Sequence, residues 1–210
     1  MSDTYAQVMK MATSPASAAF DAAVADFRAG LDEVLSADGG AGHFVFEDVP
    51  APKRLAPFAT SIAATVHRDQ QDSDDEDEDE AASGRLVLLH DPAGQEGWPG
   101  VFRLVAYVRA DIEPEVAADP LLGEVGWSWL TEALDTPGYA AASGTVTRVI
   151  TESYGAKAGE LPATGFELRA SWSPEDESDL AGHVVAWCGC LAAAAGLEPP
   201  GTRALAPRRR

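Results

Sequence analysis

The sequence predicts an α+β protein in which helices cover a mainly antiparallel sheet. Three observations support this class. In three segments, apolar residues recur every three or four positions, which is typical of amphipathic helices. Other segments alternate apolar and polar residues, which is typical of strands with one buried face. Turn-forming residues follow the strand patterns, as in Asp91-Pro92-Ala93-Gly94, and favour hairpins over long crossovers.

Helices are predicted in the N-terminal, middle and C-terminal parts of the chain. The first begins after Ser14, which can cap it, and carries an apolar stripe of Phe20, Val24, Phe27, Leu31 and Leu35. The second spans residues 121–134, with Leu122, Val125, Trp129 and Leu130 expected inward. The third is expected to open at Ser173-Pro174 and to bury Leu180, Val184, Trp187 and Leu191.

The predicted strands cover residues 43–49, 58–67, 85–90, 101–111, 145–151 and 165–172. The fourth alternates most regularly. Its inward face is predicted to hold Phe102, Leu104, Ala106, Val108 and Ala110. The element order is therefore a helix, three or four strands, a helix, two strands and a helix. This order is similar to the small α+β fold of type III secretion chaperones, a likeness of coarse topology that does not fix function.

A single domain is predicted over residues 14–200, between a disordered N-terminus (1–13) and a C-terminal tail (201–210). Residues 69–80 contain nine acids and no base. Such a run repels itself and buries nothing, so residues 68–83 are predicted to form a disordered acidic loop. The favoured interpretation of this loop is a tolerated surface insertion. The alternative is a segment that docks onto a basic partner.

Charge and composition exclude some classes of function. The net charge is −19, which disfavours nucleic-acid binding because phosphates need a basic surface. The sequence offers no signal-peptide pattern and no apolar run long enough to cross a membrane, so a cytoplasmic protein without membrane association is expected. Cys188 and Cys190 lie two apart in an apolar helical pattern, where a mutual disulfide would be strained.

No motif with a defined chemistry is present. We find no nucleophile elbow, phosphate-binding loop or dinucleotide glycine pattern. His183 with Cys188 and Cys190 could form a soft-metal trio, but one helix cannot surround an ion, so buried packing is the favoured interpretation. We therefore predict no catalytic residue, metal or cofactor, and whether the protein is an enzyme stays open, with the balance toward no.

The candidate binding residues are basic and aromatic. Arg103, Tyr107 and Arg109 fall on the polar face of one predicted strand, and Arg169 on that of another. Arginines gathered on one sheet face could bind an anion or a partner's carboxylates, although pairing with Glu167 across strands is the simpler interpretation. Trp127 and Trp129 are two apart on one helix, so Trp127 is expected either at a partner interface or against the loop that carries Trp98.

Several segments resemble an actinobacterial domain-of-unknown-function family, the one numbered three thousand. They are RLAPFATSIAATV, GRLVLLHDPAGQEGW, FRLVAYVRADIEPEVAADPLLGEVGWSWL and the region around SWSP. The HDPAGQEGW and DPLL…GWSWL parts are the most specific, and the likeness spans roughly residues 14–207. The resemblance implies no activity, cofactor or catalytic residue, and it marks the acidic run as a variable insertion.

The sequence thus favours a non-enzymatic protein-binding module, chaperone-like or adaptor-like, with a protein partner or a second copy of itself. The alternative is an enzyme or small-anion binder that uses Arg103, Tyr107 and Arg109 beside Glu113 or His90. A concave pocket where these groups converge would favour this alternative.

Overall fold

The computed structural model describes residues 14–37, 42–68, 80–159 and 163–200. Within them the helices are α1 (Pro15–Ser36), α2 (Pro114–Ala118), α3 (Leu122–Leu134) and α4 (Leu180–Ala194), with a short 3₁₀ turn at Gly155–Lys157. The strands are β1 (Phe44–Asp48), β2 (Phe58–His67), β3 (Glu80–His90), β4 (Phe102–Asp111), β5 (Tyr139–Thr151) and β6 (Ala163–Pro174).

The six strands form one antiparallel sheet in the order β1-β2-β3-β4-β6-β5. The first four strands follow one another as neighbours. After β4 the chain passes through α2 and α3, enters the outer strand β5 and returns as β6 to pair with β4. This arrangement confirms the predicted α+β class and mainly antiparallel sheet.

The core lies between one face of the sheet and the helices α1, α3 and α4. We call this side the helix face; it carries the fully buried Leu86, Leu104 and Leu168. The alternation predicted for β4 is confirmed, because Phe102, Leu104, Ala106, Val108 and Ala110 are all buried. The opposite side of the sheet, on which Val87, Val105 and Arg169 lie, is called the open face.

Helix α4 is the most deeply buried element. Leu180, Val184, Trp187 and Leu191 are all fully buried, as predicted, but Cys188 and Cys190 are fully buried too. Burial raises the pKa of Cys190 to about 12, and both cysteines are free thiols. They therefore act as small apolar packing residues. Among the described residues, no helix is both long and apolar enough to cross a membrane.

Several predicted boundaries differ from the structure. Helix α4 begins at Leu180 and is capped by Asp179, whose carboxylate accepts from the N–H of Gly182. The predicted opening, Ser173-Pro174, instead ends β6. The error arose because the sequence Ser-Pro-Glu-Asp is typical of a helix N-terminus. Here it forms the end of β6 and the loop before α4 instead.

Two further strands are longer than predicted. Strand β3 begins at Glu80, so the last four residues of the predicted acidic loop are strand, and β5 begins at Tyr139. In the helices, Val125 and Leu35 are exposed, at 42% and 38%. The buried stripe of α3 runs through Gly126, next to Val125, and that of α1 ends at Val34. The predicted N-terminus (1–13), residues 69–79 and the tail (201–210) lie outside the described residues.

Candidate binding surface on the open face of the sheet

Strand register aligns the open-face side chains in rows across the sheet. One row runs Arg85, Tyr107, Arg169 and Thr145, from β3 through β4 and β6 to β5. The next row runs Val87, Val105, Ser171 and Ser143. Opposed residues in a sheet lie within contact distance of each other. A band of basic and aromatic groups therefore lies beside a band of small and apolar ones.

These two rows line a shallow cavity of about 720 Å³ that is widely open to solvent. Val87 and Val105 supply an apolar floor, and Arg85, Tyr107 and Arg169 lie along one side. On the β5 side, the wall consists of Ser143, Gly144 and Thr145. The volume falls in the range of small-molecule and peptide side-chain sites.

Arg169 and Tyr107 are held together at the centre of the surface. The Arg169 guanidinium lies 5.1 Å from the centre of the Tyr107 ring, a cation–π arrangement. Arg169 also donates to the Glu167 carboxylate at 2.8 Å. Burial, and then the neighbouring Glu167 carboxylate, raise the pKa of the Tyr107 hydroxyl. Tyr107 is therefore a neutral hydrogen-bond donor at physiological pH.

Arg85 is a cavity residue that the sequence analysis missed. Its Nε donates to Ser61 Oγ at 2.8 Å, and its guanidinium also bonds to the carbonyl oxygen of Pro50. Both partners are neutral, so the positive charge of Arg85 is not cancelled. The signal lies in its alternation with Val87, but the predicted strand 85–90 is nearly all apolar, and such a pattern does not show which face is buried.

Arg103 lies on the open face but is buried, with 8% of its surface exposed. Its Nη2 donates to the backbone oxygen of Ser171 at 3.1 Å and to the Ser171 hydroxyl at 2.7 Å. Nη1 has no partner. Burial lowers the pKa of Arg103, yet a guanidinium stays charged in proteins. Arg103 does not line the cavity. It binds Ser171 of β6 and adds positive electrostatic potential to the open face.

Arg109 is exposed and lies one row beyond the cavity, opposite Glu167. It lines two smaller depressions of about 190 Å³ each. At open-face positions of β3, β4 and β6, four arginines outnumber the three acids Glu80, Asp111 and Glu167. The centre of this face is therefore basic, although the whole chain carries a net charge of −19.

Trp127 lies on the other side of the sheet from the arginines. Its ring covers Gly144 of β5 from the helix face, where an added Cβ would be 2.6 Å from Trp127 Cζ3. It therefore does not contribute to the arginine surface. Arg148 also points to the helix side, where its Nη1 donates to the carbonyl oxygen of Asp119 at 3.2 Å.

The groups named for the enzymatic alternative do not converge. His90 is buried on the helix face, where its ring stacks on Phe102 at 4.3 Å between centroids. Glu113 occupies the N-cap position of the short helix α2, makes no side-chain capping hydrogen bond there, and is exposed. The cavity that does form is lined by arginine, tyrosine, small hydroxyl and apolar residues. Among the described residues, no three His, Cys, Asp or Glu side chains are grouped to hold a metal ion.

The fold and this surface define an α+β protein with a six-stranded antiparallel sheet, one face of which is packed by the described helices while the other carries the arginine-lined cavity. The chain belongs to the family described as "Protein of unknown function (DUF3000)", whose model matches residues 15–203. No curated protein and no solved structure matches the chain.

Proposed function

We propose that this protein is a non-enzymatic binding module, of the chaperone or adaptor type, that holds an acidic segment of another protein on its open face. The observation that carries the proposal is the row Arg85–Tyr107–Arg169 beside the apolar floor of Val87 and Val105. An aliphatic or aromatic side chain fits the floor. A neighbouring carboxylate can accept charge-assisted hydrogen bonds from the Arg85 guanidinium, while the Tyr107 hydroxyl is already engaged by Glu167.

The local charge is enough to attract such a segment despite the acidity of the chain. At 0.15 M salt the Debye length is about 8 Å, so a bound carboxylate senses mainly the charges within the cavity. There it meets Arg85 and Arg169, and Glu167 offsets only one of them. Distant acids slow the approach of an acidic ligand more than they weaken the bound state.

The lining residues favour binding over acid–base chemistry. Arginine is not deprotonated at physiological pH, so it cannot act as a general base. The raised pKa of Tyr107, caused first by burial, keeps its hydroxyl protonated. Serine and threonine at positions 143, 145 and 171 offer further hydrogen bonds. Such groups recognise a ligand and orient it.

The proposal is tested with a fluorescent dodecapeptide that alternates Glu with Leu, compared with the same peptide carrying Lys for Glu. The acidic peptide is expected to bind, and the double variant Arg85→Ala/Arg169→Ala should weaken it about tenfold or more, since charge-assisted hydrogen bonds are lost. Arg28→Ala is the matched control, because Arg28 pairs with Asp48 at an exposed site on α1. Equal binding of both peptides, or equal loss in the control, would refute the proposal.

A second candidate is a small-anion binder or an enzyme acting on an anion, and the cavity volume of about 720 Å³ favours it. Calorimetry with phosphate, citrate and a nucleoside diphosphate separates the two. If one of these binds with the same dependence on Arg85 and Arg169 while the acidic peptide does not, the second candidate replaces the first.

A further inference from the structure

The outer edge of β5 is a long strand edge without the usual protection. In the described ranges no strand pairs with β5 on the side away from β6. After an irregularity between Ala140 and Ser143, the strand runs regularly for nine residues to Thr151. This stretch, SGTVTRVIT, carries a single charge, Arg148. Natural sheets commonly protect their edges with charges, prolines or short strands, because unpaired N–H and C=O groups otherwise recruit another strand.

The opposite edge of the sheet shows that protection. Strand β1 has five residues, and two of them are the acids Glu47 and Asp48. Proline follows at position 50. The two edges of one sheet are thus built differently, and only β5 has the length and composition to accept a partner strand.

Exposed apolar side chains lie beside the β5 edge on the helix face. Ile150 of β5 is 64% exposed, and Val116, Leu121 and Val125 of the α2–α3 region are 44%, 58% and 42% exposed. Both helices contact β5, and Arg148 ties the strand to the α2–α3 connection by its bond to Asp119. Ile150 therefore lies where a neighbour added to β5 would cover it, and the exposed side chains of α2 and α3 belong to helices that pack against the same strand.

We propose that β5 pairs antiparallel with β5 of a second copy of this chain, on a two-fold axis through Thr147 and perpendicular to the sheet. Thr147 is the midpoint of the regular stretch, so this register pairs all nine residues. It also keeps the helices of both copies on the same side, and the two sheets become one of twelve strands. The proposal is independent of what the open face binds.

Side-chain shape supports this occupant and this register. The pairing places Ile150 of one copy opposite Gly144 of the other. The most exposed large apolar side chain of β5 thus meets a residue that has no side chain. On the helix face Gly144 is covered by the ring of Trp127, which gives Ile150 an aromatic surface to pack on. Thr147 meets Thr147, and Thr145 meets Val149, which are favourable cross-strand pairs.

Charge and area are consistent with a second copy. Arg148 faces Val146 of the other copy in this register, not its own equivalent. A nine-residue strand pair alone would bury less than the roughly 1,200–2,000 Å² of a stable interface. The exposed side chains of the α2–α3 region lie on the same side in both copies and supply additional apolar area across the seam.

The experiment is sedimentation equilibrium of the full chain and of the variants Thr147→Glu and Thr147→Lys. The wild-type chain is expected to be a dimer. Each variant alone should raise the dissociation constant about tenfold or more, since like charges meet on the axis. An equimolar mixture of the two should restore the dimer, which a merely misfolded variant could not do. Val45→Glu on the opposite edge strand is the matched control and should leave the dimer intact.

A cross-linking measurement tests the register itself. Opposed Cβ atoms lie about 4.5–5.5 Å apart, so Thr147→Cys should form an intermolecular disulfide under mild oxidation. Thr145→Cys should not, because the two Thr145 positions would be four residues apart along the strands, about 13 Å. The native cysteines are buried and do not compete. A wild-type monomer at all concentrations, a dimer indifferent to charge at position 147, or equal cross-linking at both positions would overturn the proposal.

Discussion

At the scale of single residues, His183 is a buried polar group whose role is structural. Its Nδ1 accepts a hydrogen bond from the indole N–H of Trp172 at 3.1 Å, and its Nε2 has no partner. Burial lowers the pKa of His183 to about 4, although the nearby Asp179 carboxylate acts in the opposite direction. The imidazole is therefore neutral in the folded protein, and it orients Trp172 between the sheet and α4.

This environment predicts a pH dependence of stability. In the unfolded chain a histidine has a pKa near 6.5, so between about pH 6.5 and 4 the unfolded state binds a proton that the folded state does not. Stability should fall as the pH drops through that window, by about 2–3 kcal/mol at pH 4.5. Urea unfolding at pH 7 and at pH 4.5 measures the loss.

The control is His183→Asn, which keeps an acceptor for Trp172 and removes the titration. It should show the same carboxylate-dependent loss as the wild type but without the histidine contribution. Equal losses of stability in the two proteins, together with a pKa of His183 near 6.5 in a proton NMR titration, would refute the prediction that His183 is neutral in the folded protein.

At the scale of elements, the contact between α1 and α4 depends on a glycine. A Cβ added at Gly30 would lie 2.6 Å from the backbone oxygen of Ala181 and 2.8 Å from Val184 Cβ. Backbone cannot move away as a long side chain can, so the helices approach closely only because position 30 has no side chain. This explains why Gly30 lies mid-helix despite its low helix propensity.

Gly30→Ala should therefore destabilise the fold by about 1–3 kcal/mol, because overpacking outweighs the gain in helix propensity. Thermal or urea unfolding measures the change. Gly123→Ala in α3 is the comparison, since nothing lies within 4 Å of an added Cβ there, and it should be neutral or stabilising by up to about 1 kcal/mol. A stabilised Gly30→Ala variant would contradict the close approach.

The elements also show what the sequence could predict. The alternation of β4 identified its buried face residue by residue. Side chains of a strand alternate between the two faces, so once one face is apolar the face of every residue is determined. The start of α4 was wrong, since the start signal of Ser173-Pro174 competes with strand pairing of β6 to β4 and β5, which only tertiary structure decides. The length of β5 was underestimated for a related reason: Tyr139 is followed by three alanines, which are depleted in strands, so the pattern becomes strand-like only from Thr145.

At the scale of the whole molecule, the fold class could be predicted from the periodicity of apolar residues. Predicting the candidate site would have required the order of the strands in the sheet. The sequence placed Arg103, Tyr107, Arg109 and Arg169 on polar strand faces, and the structure puts all four on the open face. It could not tell that Arg85 joins them, because the pairing of β3 with β4 sets that neighbourhood. It also could not place Trp127 over Gly144, which depends on where α3 crosses β5.

The asymmetry between the two faces of the sheet is the property on which the proposed function rests. Three helices and the apolar core cover one face, and a basic, partly apolar cavity occupies the other. Because neighbouring residues along a strand point to opposite faces, Val87 and Val105 report on the cavity while Leu86 and Leu104 report on the core. These four side chains distinguish surface binding from a general change in structure.

The most direct test is an NMR titration of the protein, labelled at its methyl groups and with nitrogen-15, with the acidic Glu/Leu peptide. It follows these four residues and the side-chain N–H groups of Arg85 and Arg169. The account predicts shifts of the Val87 and Val105 methyl signals and of the Arg85 and Arg169 Nε–H signals, while Leu86 and Leu104 stay in place. Shifts confined to the helix-face leucines, or no shift of the valines at saturating peptide, would contradict it.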